Sequence, residues 1–241
     1  MNILVVSDNE VIFKEFRGIF ENNSSEGLLV KYGCSPESKT DFENWNDVCV
    51  IDVKSDYNEI ISEYDLVISC HCKKIFPATL VNSVRCINIH PGLNPYNRGW
   101  YPQVFSIINK LPHGATIHVM DEEIDHGDII CQKEVKILPY DTSLDVYKKI
   151  ISVEIELFRD NFELIISGKY EACEMSEEGN YNGVSDFKEL CKLDLNKVGT
   201  LGEHIDLLRA LTHGNYKNAF FTYDNKKVYV GINFLVDSVR K

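Results

Sequence analysis

INIHPGLNPYNRGWYPQVFSIINKLPHGATIHVMDEEIDHGD, residues 87–128, ends one strand, crosses an irregular loop and a helix, and runs into a second strand. The apolar run from Val84 to Ile89, broken by Arg85, predicts a buried strand that Pro91-Gly92 stops. Side chains alternate along a strand, so Asn88 and His90 leave the same face of the sheet. Pro91 to Gly99 holds two prolines and two glycines and is expected to be irregular. A helix is expected over Tyr101 to Asn109 with Val104, Ile107 and Ile108 turned inward, and Trp100 and Tyr101 stand at its head. Gly114 to Met120 and Ile129 to Leu138 then predict two strands that flank the acidic loop Asp121-Glu122-Glu123-Ile124-Asp125 and close over the site like a hairpin.

Outward from this stretch, strands alternate with helices. Ile3 to Val6 predicts the first strand. Ser7-Asp8-Asn9-Glu10 predicts a capping-box start to a helix with the stripe Ile12, Phe16, Ile19 and Phe20. The turn between them lacks the glycines of a dinucleotide fingerprint. Leu28 to Tyr32 and Val48 to Val53 read as strands around a loop or short helix, Ser35 to Asn46. A helix near Asn58 to Tyr64 precedes the apolar strand Leu66 to Ser69. Thr142 to Gly168 is expected to be one long structural helix covering a sheet face, with Leu144, Tyr147, Ile151, Phe158, Phe162 and Ile165 near helical spacing and Gly168 as its stop. The alternation indicates an α/β fold, a doubly wound and mostly parallel sheet. Ala172 to Asn182 reads as a link, dividing the chain into a main domain over 1–178 and an extension over 179–241. That extension predicts a helix from Thr200 to Thr212 and a hairpin, Ala219 to Tyr223 and Lys227 to Val230, around Asp224-Asn225. An isolated hairpin of this composition is marginal, so it is expected to pack on the main domain or on a second subunit.

Bulk properties exclude several classes. The 241 residues carry 37 acidic against 25 basic side chains, a net charge of -12. Phosphate backbones want a basic stripe and none is visible, so nucleic acid is not an expected partner. No apolar span reaches membrane length and no signal peptide precedes the first strand, which points to a cytoplasmic protein without membrane contact. The eight cysteines are scattered without C-x-x-C spacing and read as reduced small hydrophobes, with Cys70-His71-Cys72 the one cluster to note.

An amide, an imidazole and a carboxylate, Asn88, His90 and Asp125, suit acyl transfer. When an amine attacks a carbonyl carbon, the Asn88 N–H would donate to the developing oxyanion, a service worth about 3–4 kcal/mol. A protonated His90, favoured by Asp125, would assist. The attacking ammonium would lose its proton through Asp125, His90 or a water, a choice the residues leave open. A metal-dependent deacylase built on His90, His118, Asp121, Asp125 and His126 lacks ligand spacing on any one element, and no metal is expected. A non-catalytic folate- or nucleotide-binding protein of the same fold would have no need of an oxyanion donor beside an acid/base pair.

His90-Pro91-Gly92 through Gly99-Trp100, followed by Asp121-Glu122-Glu123-Ile124-Asp125-His126-Gly127, resembles the folate-dependent formyltransferases. That resemblance implies N10-formyltetrahydrofolate as cosubstrate. It places Lys74, Ile75 and Phe76, with Asp121 and Asp125, on the folate side. The form N-P-Y-N-R-G-W-Y-P-Q and the later His213 to Phe220 are similar to nucleotide-sugar N-formyltransferases of the dTDP-4-amino-4,6-dideoxyglucose type, which supply formamido sugars to surface polysaccharides such as O-antigen and work as homodimers. Asn94, Tyr96, Arg98, Trp100, Tyr101, Gln103, Tyr216 and Lys217 would then lie on the acceptor side, Arg98 or Lys217 toward the pyrophosphate and Tyr216 under the pyrimidine. Other amines stay open: a GDP-linked or 3-amino sugar, glycinamide ribonucleotide, or methionyl-tRNA.

Overall fold

A computed structural model of the chain describes residues 1–23 and 27–237. In chain order the elements are β1 Asn2–Val6, α1 Glu10–Asn22, β2 Leu29–Cys34, β3 Val48–Val50, α2 Tyr57–Glu63, β4 Leu66–Cys70, α3 Ala78–Ser83, β5 Arg85–His90, β6 Arg98–Gly99, α4 Pro102–Asn109, β7 Gly114–Val119, β8 Ile129–Glu134, α5 Ser143–Asp160, α6 Phe162–Ser167, β9 Tyr181–Asn182, α7 Val184–Leu190, α8 Leu201–Leu211, β10 Phe220–Tyr223 and β11 Lys226–Tyr229. Seven strands form one sheet in the order β3-β2-β1-β4-β5-β7-β8. The first five are parallel and the last two antiparallel, so the doubly wound sheet carries an antiparallel edge.

The core follows from burial of both sheet faces. Ile3, Val5, Ile68, Ile87, Ile89 and Ile117 face α1 and α5, where Phe13, Phe16, Phe20 and Phe158 pack. Leu4, Val6, Val67, Phe76 and Leu80 fill the opposite face. Phe13, outside the expected stripe, is fully buried and meets Tyr32, Phe42 and Trp45 edge-on at 5.0–5.3 Å. The cap of α1 is Asn9, whose side chain accepts from the Val11 and Ile12 N–H groups, rather than a box led by Ser7. Asp8 is thereby released for another duty: its carboxylate accepts from the Ser35 N–H and hydroxyl and the Lys73 N–H, lacing together the loops after β1, β2 and β4.

The single helix expected over Thr142 to Gly168 is two. Asn161 donates its side-chain amide to the Leu157 carbonyl, and the chain turns there between α5 and α6 before Gly168 caps in the left-handed region at φ 71°. Nor is α5 only a cover, since Tyr147 and Glu154 point toward the sheet edge where β4 ends. Pro91 to Gly99 is not wholly irregular either: Arg98–Gly99 pairs in parallel with Tyr181–Asn182. The extension's α8 shares a core with the main body, Ala210 and Leu211 meeting Val104, Ile107, Val146 and Ile150. Its hairpin turns through Asp224 and Asn225, both left-handed at φ 47° and 55°, as a two-residue turn requires. Of the cysteines, Cys34, Cys70, Cys86 and Cys191 are buried, whereas Cys49 and Cys173 are exposed, and all eight are free thiols.

Phe158 is fully buried, with ring contacts to Phe16 at 4.7 Å and to Phe20 and Phe162 at 5.7 Å. Phe158→Ala should cost about 3–5 kcal/mol through lost transfer energy and a residual cavity, read as a lowered urea midpoint with an unchanged slope.

Candidate active site

A cavity of about 650 Å³ opens at the carboxyl ends of β4 and β5, the edge at which open α/β sheets hold their ligands. β5 delivers Asn88 and His90 there from one face. The loop between β7 and β8 brings Asp125, itself left-handed at φ 51°. The Asn88 amide donates to Asp125 Oδ1 at 2.9 Å, and His90 Nδ1 lies 3.5 Å from the same oxygen. Gly99 N–H donates to Asp125 Oδ2 at 3.0 Å. The three side chains therefore converge.

Two features of this cluster depart from expectation. His118, paired with Asn88 across β5 and β7, takes part in it. Its Nδ1 faces the Val119 carbonyl at 2.8 Å, which only accepts, so Nε2 is left to accept from the Asn88 amide at 3.2 Å. Both Asn88 amide hydrogens are therefore engaged, one on Asp125 and one on His118. His90 is not an imidazolium. Burial pulls the ring down to about 4 against the opposing pull of Asp125, and at 3 % exposure desolvation wins. Burial raises the Asp125 carboxyl, but the His90 and His118 rings and the Gly99 N–H outweigh it and hold it at about 2. The pair at neutral pH is a neutral ring beside a carboxylate. A Cβ at Gly92 would stand 2.3 Å from His90 Nε2, so only glycine lets the ring settle there.

On the β4 side, Lys74, Ile75 and Phe76 all line the cavity. Lys74 is ion-paired with Glu37 and Ile75 is exposed, while the Phe76 side chain is buried in the core. Asp121 also lines it, bonded to His126 Nδ1 at 2.8 Å and the Glu123 N–H at 2.9 Å.

The expected acceptor residues divide. Trp100, Tyr101, Gln103 and Tyr216 line the cavity, with Tyr101 stacked on Phe187 at 4.0 Å. Asn94, Tyr96, Arg98 and Lys217 do not. Asn94 is buried and donates to the Asp125 carbonyl at 2.8 Å. The Tyr96 hydroxyl donates to Glu177. Arg98 is buried, its Nη1 reaching the Ile124 carbonyl at 3.4 Å, so its charge does not face a pyrophosphate. Lys217 lies over the Tyr229 ring at 5.7 Å. Asn9, His71, Tyr147, His213 and Asn218 also wall the cavity; the sequence marked Cys70-His71-Cys72 and His213 to Phe220 without giving these five side chains a ligand contact. His71 Nε2 sits 2.9 Å from both carboxylate oxygens of the fully buried Glu154, which burial raises. Among the described residues, no group of three His, Cys, Asp or Glu side chains is arranged to hold a metal.

This geometry coincides with likeness to known proteins. Residues 43–161 match the formyl transferase family, and residues 186–236 the N-formyltransferase dimerization C-terminal domain. A dTDP-4-amino-4,6-dideoxyglucose formyltransferase of Mycobacterium tuberculosis is 48% identical over 182 residues, 75% of this chain and 78% of that protein. A 4-N formyltransferase from Francisella tularensis superposes with a TM-score of 0.94 at 50% identity, covering 98% of both chains. A formyltransferase from Anoxybacillus kamchatkensis, solved in complex with UDP-4,6-dideoxy-4-formamido-L-AltNAc and tetrahydrofolate, is 25% identical with a TM-score of 0.61, covering 78% of this chain and 89% of that one. An amide, a neutral imidazole and a carboxylate gathered at a strand end, within a chain so close to these proteins along its length, place it in the formyltransferase family as an N-formyltransferase.

Proposed function

We propose that the chain transfers a formyl group from N10-formyltetrahydrofolate to the amino group of a dTDP-linked 4-amino-4,6-dideoxy sugar, within the cytoplasm and as a step toward a surface polysaccharide such as O-antigen. The observation that carries this reading is the Asn88, His90 and Asp125 convergence at a cavity of about 650 Å³. The likeness at 48% to a protein named for that sugar supports the choice of acceptor. On the donor side the cavity is lined by residues 74–76 and the loop of Asp121, with Met120 and Ile124 as apolar lining. The folate, when bound, supplies the formyl group.

The residues then divide the work as follows. Asp125, ionised and hydrogen-bonded by Asn88 and Gly99, accepts the proton that the sugar ammonium loses. The new bond joins the sugar nitrogen to the formyl carbon, the bond to the folate nitrogen breaks, and that nitrogen takes up a proton. Asn88 serves the developing oxyanion by releasing His118, the longer of its two contacts at 3.2 Å, and keeping Asp125. His90, neutral, donates or accepts a hydrogen bond without adding charge. Tyr216 and Trp100, exposed at the cavity rim, lie on the sugar-nucleotide side. The extension from residue 179 onward serves acceptor contacts and dimerisation: Leu195, Val198, Leu201, Tyr223 and Leu235 are all exposed on it. Among the described residues no helix is long and apolar enough to cross a membrane.

Screening formyltetrahydrofolate with dTDP-4-amino, dTDP-3-amino and GDP-4-amino sugars by mass should give product with the first, and His90→Ala or Asp125→Asn should lower turnover at least about 100-fold with folate binding kept. In the same assay Tyr216→Ala should raise the sugar-nucleotide KM about tenfold. Near-normal turnover in either triad variant would remove the assignment. Sedimentation at micromolar concentration should report a homodimer, and a monomer would contradict the role given to the extension. Burial also holds His113 neutral, down to about 3. Unfolded histidines take up protons below about pH 6.5 while these two remain neutral, so stability should fall as pH drops from about 6.5 toward about 4, each contributing on the order of 3 kcal/mol. A denaturation midpoint that stays flat over that window would contradict buried neutral rings.

A further inference from the structure

Two residues before Gly99, whose N–H meets Asp125, lies a side chain that touches no part of the cavity. Asn97 is fully buried and left-handed at φ 52°, a conformation asparagine tolerates. Its side-chain oxygen accepts from Asn109 and Asn180 at 2.8 Å each and from Asn182 at 3.3 Å. Its amide donates to Ser106 Oγ at 3.1 Å, and its backbone N–H donates to Asn180 Oδ1 at 2.9 Å. Both polar atoms of the side chain are bonded within the protein, and the residue does not line the cavity.

This knot fixes a short ladder. Arg98 N–H donates to the Asn180 carbonyl at 3.0 Å and Trp100 N–H to the Asn182 carbonyl at 2.9 Å, which turns the intervening Gly99 N–H the other way, onto Asp125. A side chain at position 99 is excluded, since its Cβ would stand 2.4 Å from the Tyr181 ring and 2.7 Å from the Asn182 carbonyl. Asn180 and Asn182 belong to the segment after α6, 83 and 85 residues along the chain from Asn97.

We propose that Asn97 is a positioning residue for the reaction: by clamping residues 180–182 onto the loop after β5, it aims the Gly99 N–H at Asp125, so the proton acceptor is set only when that later segment is docked. The inference rests on the formyl-transfer reading of Asp125. The titratable groups facing Asp125 are His90 from β5 and His118 from β7, neither of which is hydrogen-bonded to Asn97, while Arg98, its neighbour in the chain, reaches the Ile124 carbonyl instead. A change at Asn97 therefore reaches Asp125 through the Gly99 N–H, which favours the ionised form.

The test is a carbon-13 titration of aspartate carboxyls in the parent, Asn97→Ala, Asn180→Ala and Asn97→Asp proteins, with the Asp125 resonance identified by its loss in Asp125→Asn. In both alanine variants the Asp125 midpoint should rise by about one pH unit, and kcat should fall about tenfold while the folate KM stays within about twofold. Asn97→Asp, which offers the same three amides an acceptor in a backbone conformation aspartate also tolerates, should restore most of kcat. A purely structural knot would lower the thermal midpoint and leave the Asp125 titration where it was, and that outcome in folded Asn180→Ala overturns the proposal even if Asn97→Ala fails to fold. A parent protein that formylates no amino sugar overturns the functional reading instead, whereas the titration needs no substrate and still decides the part played by Asn97.

Discussion

A carboxylate taken out of water must be met by donors or it protonates, and much of the chain between β5 and β8 is arranged around that demand at Asp125. Its two side-chain oxygens receive Asn88 from β5 and Gly99 from β6, and its own carbonyl receives Asn94. The left-handed backbone at residue 125 lets carboxylate and carbonyl both turn inward. Next to it, Arg98 reaches the Ile124 carbonyl and completes the same inward-facing loop. Desolvating one ion costs several kcal/mol. The donors offset it, and as a result the group stays a base rather than a neutral acid.

The same burial that makes Asp125 costly decides the state of His90. A partner carboxylate usually favours an imidazolium, but the favourable charge at 3.5 Å is smaller here than the desolvation of a nearly enclosed ring. Only one member of the pair carries charge at neutral pH, and it is the one with hydrogen bonds to spend. A second buried acid, behind the cavity lining, follows a different course: among the described residues Glu154 has His71 as its partner, through both oxygens, and burial pushes its carboxyl up rather than down. The difference is in what opposes burial: the His90 and His118 rings, with the Gly99 N–H, act together on Asp125, whereas on Glu154 the opposing pull comes from His71.

What was legible from the residues follows from periodicity. The buried strands Asn2–Val6, Leu66–Cys70 and Arg85–His90 announce themselves as apolar runs, and α1 and α5 as stripes, because both are patterned by the core they face. The same-face placement of Asn88 and His90 needs only the two-residue repeat. Loops have no such rule. Arg98, Tyr96 and Asn94 sit in a segment whose side-chain directions are set by β9, Glu177 and Asp125, partners distant in sequence or in another loop. The resemblance of this segment to nucleotide-sugar N-formyltransferases implied ligand contacts for residues that hold the loop in the structure. His118 was within reach: the antiparallel pairing of its strand with β5 puts it opposite Asn88. The charge of His90 was not, since desolvation depends on packing that no short stretch encodes.

The two sides of the cavity differ in origin, and the difference bears on how such a fold changes substrate. One side comes from the sheet: Asn88, His90 and His118 stand on β5 and β7, strands paired on both edges, and the loop holding Asp125 joins β7 to β8, so their relative positions are set by backbone hydrogen bonds. The other side is assembled from α5 and the extension, with Tyr147, His213, Tyr216, Asn218 and Phe187 meeting through ring contacts and single hydrogen bonds. Ring contacts tolerate substitution and rearrangement far better than a strand register does, because a one-residue register slip turns every side chain to the opposite face. Chemistry placed on the first side stays constant while recognition on the second is free to vary, provided residues 180–182 keep their grip on the loop between the two.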